Sequence, residues 1–175
     1  MDRLKKDLHW FEKLQTGPDA EKQETSRTDI EDMEITTVNL QKFIAEAGRW
    51  IDEVSHHLET PDRKDRAWSA LRSVMHTLRD RIPPEESFQL SAQLPMLIRG
   101  LYFESYKYSA VSEKFNADEL LKRIEDGMSP GTDVSAEDAF RAVLQVLYDH
   151  VSEGEMSDIY ATMPKSIRRL WDKNR

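Results

Sequence analysis

No cysteine occurs in the 175 residues, which removes disulfides, thiolate zinc sites, iron–sulfur clusters and cysteine nucleophiles together. The simplest compartment for such a chain is a reducing cytosol, so a cytoplasmic location is expected. Long apolar runs are missing too. Stretches such as Leu94 to Leu97 fall far short of the roughly 20 residues that span a bilayer, so no membrane span is expected. The N-terminus, Met1 to Leu14, is interrupted by Lys5, Lys6, Asp7, Glu12 and Lys13, whereas a signal peptide needs an unbroken apolar core. Glycine is scarce: the six present are too scattered to form a phosphate-cradling loop, and neither a P-loop, a nucleophile elbow nor a His-Glu-x-x-His pair occurs. Positive charge is outnumbered, 25 Lys and Arg against 33 Asp and Glu, and the resulting net charge of −8 repels nucleic-acid backbones. Nucleic acid is therefore not an expected partner, and no cofactor is expected.

What is present points to charged helices around a real core. Four Trp, six Phe and five Tyr accompany a hydrophobic fraction of 38%, enough for one compact domain or two small fused ones. Leu4, Leu8, Phe11 and Leu14 recur at helical spacing. From Thr16 to Glu34 large apolar residues almost vanish, which predicts a solvated acidic linker and a domain boundary near Ile35. Residues 1–35 are thus read as an amphipathic helix plus a disordered linker, and residues 36–175 as the folded domain. Leu40, Phe43, Ile44, Ala47, Ile51, Val54 and Leu58 then form one stripe up to Thr60-Pro61, and Trp68, Leu71, Val74, Met75, Leu78 and Ile82 form a second. Pro83-Pro84 ends that helix, and Pro95 splits the next stretch into a short helix and another from Met96 to about Tyr106. Capping boxes at Asn116 with Glu119 and at Ser152 with Glu155, together with a cap at Ser135, open the later helices. The fold class expected is all-α.

Ala70 to Tyr102 lies over Ala139 to Trp171 without a gap. Arg72 falls on Arg141, Asp80 on Asp149, Glu86 on Glu155, Pro95 on Pro164 and Arg99 on Arg168, and the apolar positions coincide as well. Polar matches and a shared proline are more than common helical composition supplies. The expectation is a bundle of two tandem, pseudo-twofold related repeats, about residues 37–108 and 113–175.

The run Leu78-Arg79-Asp80-Arg81-Ile82-Pro83-Pro84-Glu85-Glu86, followed by Ala92 to Tyr102, resembles the bacterial domain-of-unknown-function family 2267. Gly154-Glu155 and Leu170-Trp171 look like that family's second half. The resemblance implies a bacterial, cytosolic, all-helical domain over Phe43 to Trp171, and it carries no activity, cofactor or catalytic residue.

Candidate residues follow from charge and periodicity. Arg99 and Arg168 are retained at matched places beside apolar stripes, so each is expected to bond an acid from the matched set Asp80, Glu86, Asp149 and Glu155, or a helix-end carbonyl. Phe103, Tyr106 and Tyr108 lie off the inward stripe of their helix and are a candidate partner surface, against the plainer reading that the second repeat covers them. Glu53-Val54-Ser55-His56 is half of a di-iron motif without its second copy, so an exposed helix-end histidine pair is the plainer reading. Lys165, Arg168, Arg169, Lys173 and Arg175 complement a helix C-terminus before they suggest an anionic partner. The functional expectation is a non-enzymatic interaction or regulatory module, with a protein partner or a homo-oligomer. Its alternative is an enzyme or small-ligand binder with a pocket between the repeats, lined by Trp50, Trp68, Tyr102 and Trp171.

Overall fold

The structure is a computed structural model that describes residues 27–173, with side chains described from residue 40 onward. Eight helices and no strand occur among these residues: α1 (Arg27–His57), α2 (Lys64–Arg81), α3 (Pro84–Gln93), α4 (Met96–Tyr102), α5 (Ala117–Gly127), α6 (Ala136–His150), α7 (Glu153–Thr162) and α8 (Lys165–Lys173). None is long and apolar enough to cross a membrane. The chain divides into two units, Met1–Val38 and Asn39–Arg175, and the core belongs to the second. The stripe Leu4 to Leu14 and most of the expected linker lie outside the described residues. Helix α1 starts at Arg27, ahead of the boundary expected near Ile35, because extending an established helix by a turn adds one hydrogen bond per residue fixed.

Helix α2 is the axis of the second unit. Ala67, Ala70, Leu71, Val74, Met75 and Leu78 are fully or almost fully buried on it, and it packs against α4, α5 and α6. Its small hydroxyl residues face α5 and the turn after it. Ser73 Oγ donates to the Ile124 carbonyl at 2.6 Å, and Ser69 Oγ accepts from the Ser129 N–H at 2.7 Å. Both groups are buried, so each hydrogen bond removes a desolvation cost as well as fixing helix register. Helix α6 covers another face with Phe140, Val143, Leu144 and Leu147, α3 packs on α7, and α5 contacts α8. Trp171 is wholly buried, and its indole N–H donates to the Tyr148 hydroxyl at 2.7 Å.

The helix ends follow local chemistry. Pro83 and Pro95 occupy the N-cap positions of α3 and α4, each in extended backbone that stops the preceding helix. Asn116, Ser135 and Ser152 accept from the N–H three residues on, as their spacing predicts. Gly131, at φ 81°, supplies the left-handed turn between α5 and α6. Helix α4 stops at Tyr102, a turn short of the Tyr106 that periodicity predicts. Arg79, buried on α2, takes the Tyr102 and Glu104 carbonyls at 2.7 and 3.0 Å, and this pins the chain as it leaves the helix. Ser105 completes the departure at φ 54°.

Candidate functional site

The matched arginines cap helices. Arg99 donates from Nε to the Ser91 carbonyl at 2.7 Å and from Nη2 to the Ala92 and Leu94 carbonyls, both at 3.1 Å. Arg168 donates from Nε to the Met163 carbonyl at 2.9 Å and from Nη2 to the Ala161 carbonyl. These carbonyls belong to the last turns of α3 and α7 and to their C-cap residues Leu94 and Met163, where helix carbonyls run short of N–H partners. Neither guanidinium pairs with Asp80, Glu86, Asp149 or Glu155. Of the two partners expected for each arginine, an acid of the matched set or a helix-end carbonyl, the carbonyl is the one found; the ion pairs of these two arginines with the four acids are corrected to that extent, because the carbonyls lie just across the adjacent proline turn.

Each acid has its own setting. Asp80 pairs with Arg79 at 2.8 Å, and Asp149 accepts from Gln145 Nε2 at 3.3 Å with His57 at 4.0 Å. Glu86 and Glu155 are different: Oε2 of the first and Oε1 of the second are buried without a hydrogen-bond partner. Burial pushes the Glu155 carboxyl above the usual range, and the nearby Glu86 and then Asp158 charges push it further.

The aromatic run is divided in its surroundings. Phe103 is half-buried, with its ring 5.7 Å from Phe88, 5.0 Å from Tyr102 and 5.6 Å from Tyr106. Arg79 stands 5.0 Å above the Tyr106 ring, while Tyr108 is exposed. The four aromatics expected around one cavity do not meet in one. Trp50, Tyr102 and Trp171 are buried in the core, where their large rings fill the packing, and of the four Trp68 alone reaches the surface. Tyr102 shows the consequence, its phenol hydrogen-bonded to Ser87 Oγ at 2.8 Å and raised far above its ordinary pKa by burial. Glu53 faces the His150 ring rather than forming half of a metal site with His56, and His150 stacks on Trp50 at 5.0 Å. Among the described residues no three metal-capable side chains come together.

Two concave surfaces bear on binding. The first is an apolar groove of about 510 Å³ between α1, α2 and α4, with Ala47, Gly48 and Gly100 as small residues in its lining. Ile44, Trp68 and Leu97 stand around it at 55%, 42% and 41% exposure, large apolar side chains left in water. Glu104 at its edge is bound to Arg72 at 2.6 Å, and that guanidinium holds its carboxyl below the ordinary range. The second is an open pocket of about 660 Å³ with a mixed lining, bordered by the end of α2, the segment leading into α5, and the α7–α8 turn. Arg81 lines it at 9% exposure, its guanidinium 5.8 Å from the Phe115 ring.

A family model described as an uncharacterized conserved protein, DUF2267, matches residues 47–170. The chain belongs to the DUF2267 family. The DUF2267 match takes in α2 to α7 whole, so Arg81 and its pocket lie inside it, as does the groove except for Ile44. Comparison with curated proteins gave no match. Periodicity had placed Ile44 and Trp68 on inward stripes, and no sequence signal distinguished Arg81 from the other basic residues at helix ends.

Proposed function

We propose that this DUF2267 chain is a non-enzymatic helical interaction module, built by duplication of one helical unit, which seats an amphipathic helix of a protein partner in its apolar groove. The duplication draws support from helix boundaries: α3 and α7 begin and end 69 residues apart, α4 and α8 begin 69 apart, and α2 and α6 end 69 apart. The carbonyls taken by Arg99 at Ala92 and Leu94 recur under Arg168 at Ala161 and Met163, at the same offset.

The groove carries the functional reading. Ile44, Trp68 and Leu97 form an apolar rim in water, and such contiguous surface marks recognition sites. Small residues within the lining let a helix backbone come close, which is the geometry of helix-in-groove binding. Glu104 is already neutralised by Arg72, so recognition rests on apolar contact.

A photo-crosslinking residue at Leu97, introduced into the full chain in its native cell, tests this directly. A discrete adduct is expected there and not at exposed Lys122 on α5. A Cβ at Gly100 meets nothing within 4 Å, so Gly100→Phe is expected to occupy the groove and remove the adduct, with an unchanged melting temperature as the check that the fold is kept. Adducts unchanged by Gly100→Phe, or absent at Leu97, refute the reading. An adduct of twice the chain's mass assigns the seat to a second copy instead.

A further inference from the structure

Arginine is rarely buried without a partner, because its guanidinium carries five N–H donors and a charge that does not titrate away. Arg81 is the case here. It is 9% exposed, its Nε is shut off from solvent with no hydrogen-bond partner, and among the described residues it has neither ion pair nor hydrogen bond. Arg79, on the same helix, shows what this fold does with a buried arginine: it bonds Asp80 and two carbonyls. A place in the last turn of α2 accounts for a positive charge, but the Arg81 guanidinium bonds none of the carbonyls at that helix end.

The pocket that Arg81 lines holds further donors. Among the described residues Lys114 has no ion pair, and neither its side chain nor that of Ser112 has a hydrogen bond. Asn116 spends its side-chain oxygen on the Glu119 N–H, which leaves its amide N–H groups available. The one carboxylate in the lining, Glu119, is engaged by Arg123 at 3.1 Å, which offsets its charge. Arg123 in turn stands 4.3 Å over the far side of the site's aromatic wall, Phe115.

The matched helix offers a contrast. His150 ends α6 as Arg81 ends α2, 69 residues earlier, and each has an aromatic ring against it, Trp50 for the first and Phe115 for the second. His150 has the Glu53 carboxylate as its partner. Among the described residues none plays that part for Arg81.

From Arg81 with no hydrogen bond or ion pair, the donors around it and the open volume beside them, we infer that this pocket is a binding site for the phosphate group of a small phosphorylated molecule. Two cations with a hydroxyl and an amide suit a dianion with three terminal oxygens better than a carboxylate with two. About 660 Å³ is room for the rest of a small molecule beyond the phosphate. This site is separate from the groove, and the two readings stand or fall apart.

The test is titration of the full chain with inorganic phosphate, by calorimetry and by thermal unfolding at constant ionic strength with chloride as the balancing ion. Saturable binding is expected, with a melting temperature that rises with phosphate concentration. Lys114→Ala, at an exposed position that leaves the fold intact, is expected to weaken binding about tenfold, the scale of one charge-assisted hydrogen bond. Arg81→Met keeps the stem of the side chain and is expected to abolish binding. Phosphate binding unaltered in both variants, no saturable binding by the native chain, or acetate bound as well as phosphate would each overturn the assignment.

Discussion

Gly127 is the sharpest test of how α5 is held. It is the last residue of α5, and a Cβ there would fall far inside contact distance of Ser73 Oγ and 3.3 Å from Ser73 Cβ. Its backbone is not in the left-handed region, so in open space alanine would gain about 0.5–1 kcal/mol from lower backbone entropy in the unfolded chain. Steric conflict opposes that gain. Rotating Ser73 Oγ aside forfeits its 2.6 Å bond to the Ile124 carbonyl, and a buried hydroxyl without a partner costs about 1–3 kcal/mol. The residual pressure on Ser73 Cβ forces a helix shift that costs about 1 kcal/mol more. The net expectation for Gly127→Ala is a loss of about 1–3.5 kcal/mol, equivalent to roughly 2–14 °C in melting temperature for a domain of this size.

Ser73→Ala alone is expected to cost about 1 kcal/mol, since Ile124 keeps the Met128 N–H on its carbonyl. In the double variant the hydroxyl conflict is gone, so the total should fall short of the sum by about 1 kcal/mol. Urea unfolding of the four proteins, compared at unchanged slope, measures the cycle. An additive cycle, or a Gly127→Ala protein more stable than its parent, would show that α5 does not rest on α2 through this contact. More than stability is at stake, because the same register places Phe115 and Asn116, at the start of α5, beside Arg81.

Three further outcomes are expected. Glu155→Gln should raise stability at neutral pH: the folded carboxyl titrates above its unfolded value, so stability falls as pH rises through that interval, and above it the full penalty persists. Its advantage should vanish near pH 3, about one unit under the ordinary carboxylate range, and an advantage that persists there would refute the ionic cause. Arg99→Ala and Arg168→Ala should each cost about 1 kcal/mol through lost carbonyl caps, against under about 0.5 for exposed Arg169→Ala, and Arg99→Lys should not restore the fork; equal melting temperatures for all would refute the capping role. Phe103→Ala should cost about 2 kcal/mol by opening the cluster with Phe88, Tyr102 and Tyr106, whereas Tyr108→Ala, at 70% exposure, should be near neutral; the reverse order in calorimetry would mark Phe103 as surface rather than packing.

Helix positions were legible in the sequence because prolines, capping residues and apolar spacing act over a few residues. Pro83 and Pro95 stop helices wherever the rest of the chain lies, and Asn116, Ser135 and Ser152 find their N–H partners three residues on. The point where α4 ends depends instead on Arg79, more than twenty residues earlier, and no local rule reaches that far. The candidate sites fail to show in sequence for the same reason. Trp68 and Leu71 sit on one helical stripe, yet Leu71 is wholly buried and Trp68 is 42% exposed, because what covers a stripe is decided by how far the neighbouring helix extends. Arg79 and Arg81 are two residues apart on one helix and indistinguishable in type, and both are buried. One meets Asp80 and two carbonyls, the other an aromatic ring and a pocket. Composition sets the number of cations, and only tertiary placement decides which of them is left needing an anion. A residue of this kind is therefore found by asking of each buried charge what satisfies it, and in this chain that question leads to Arg81.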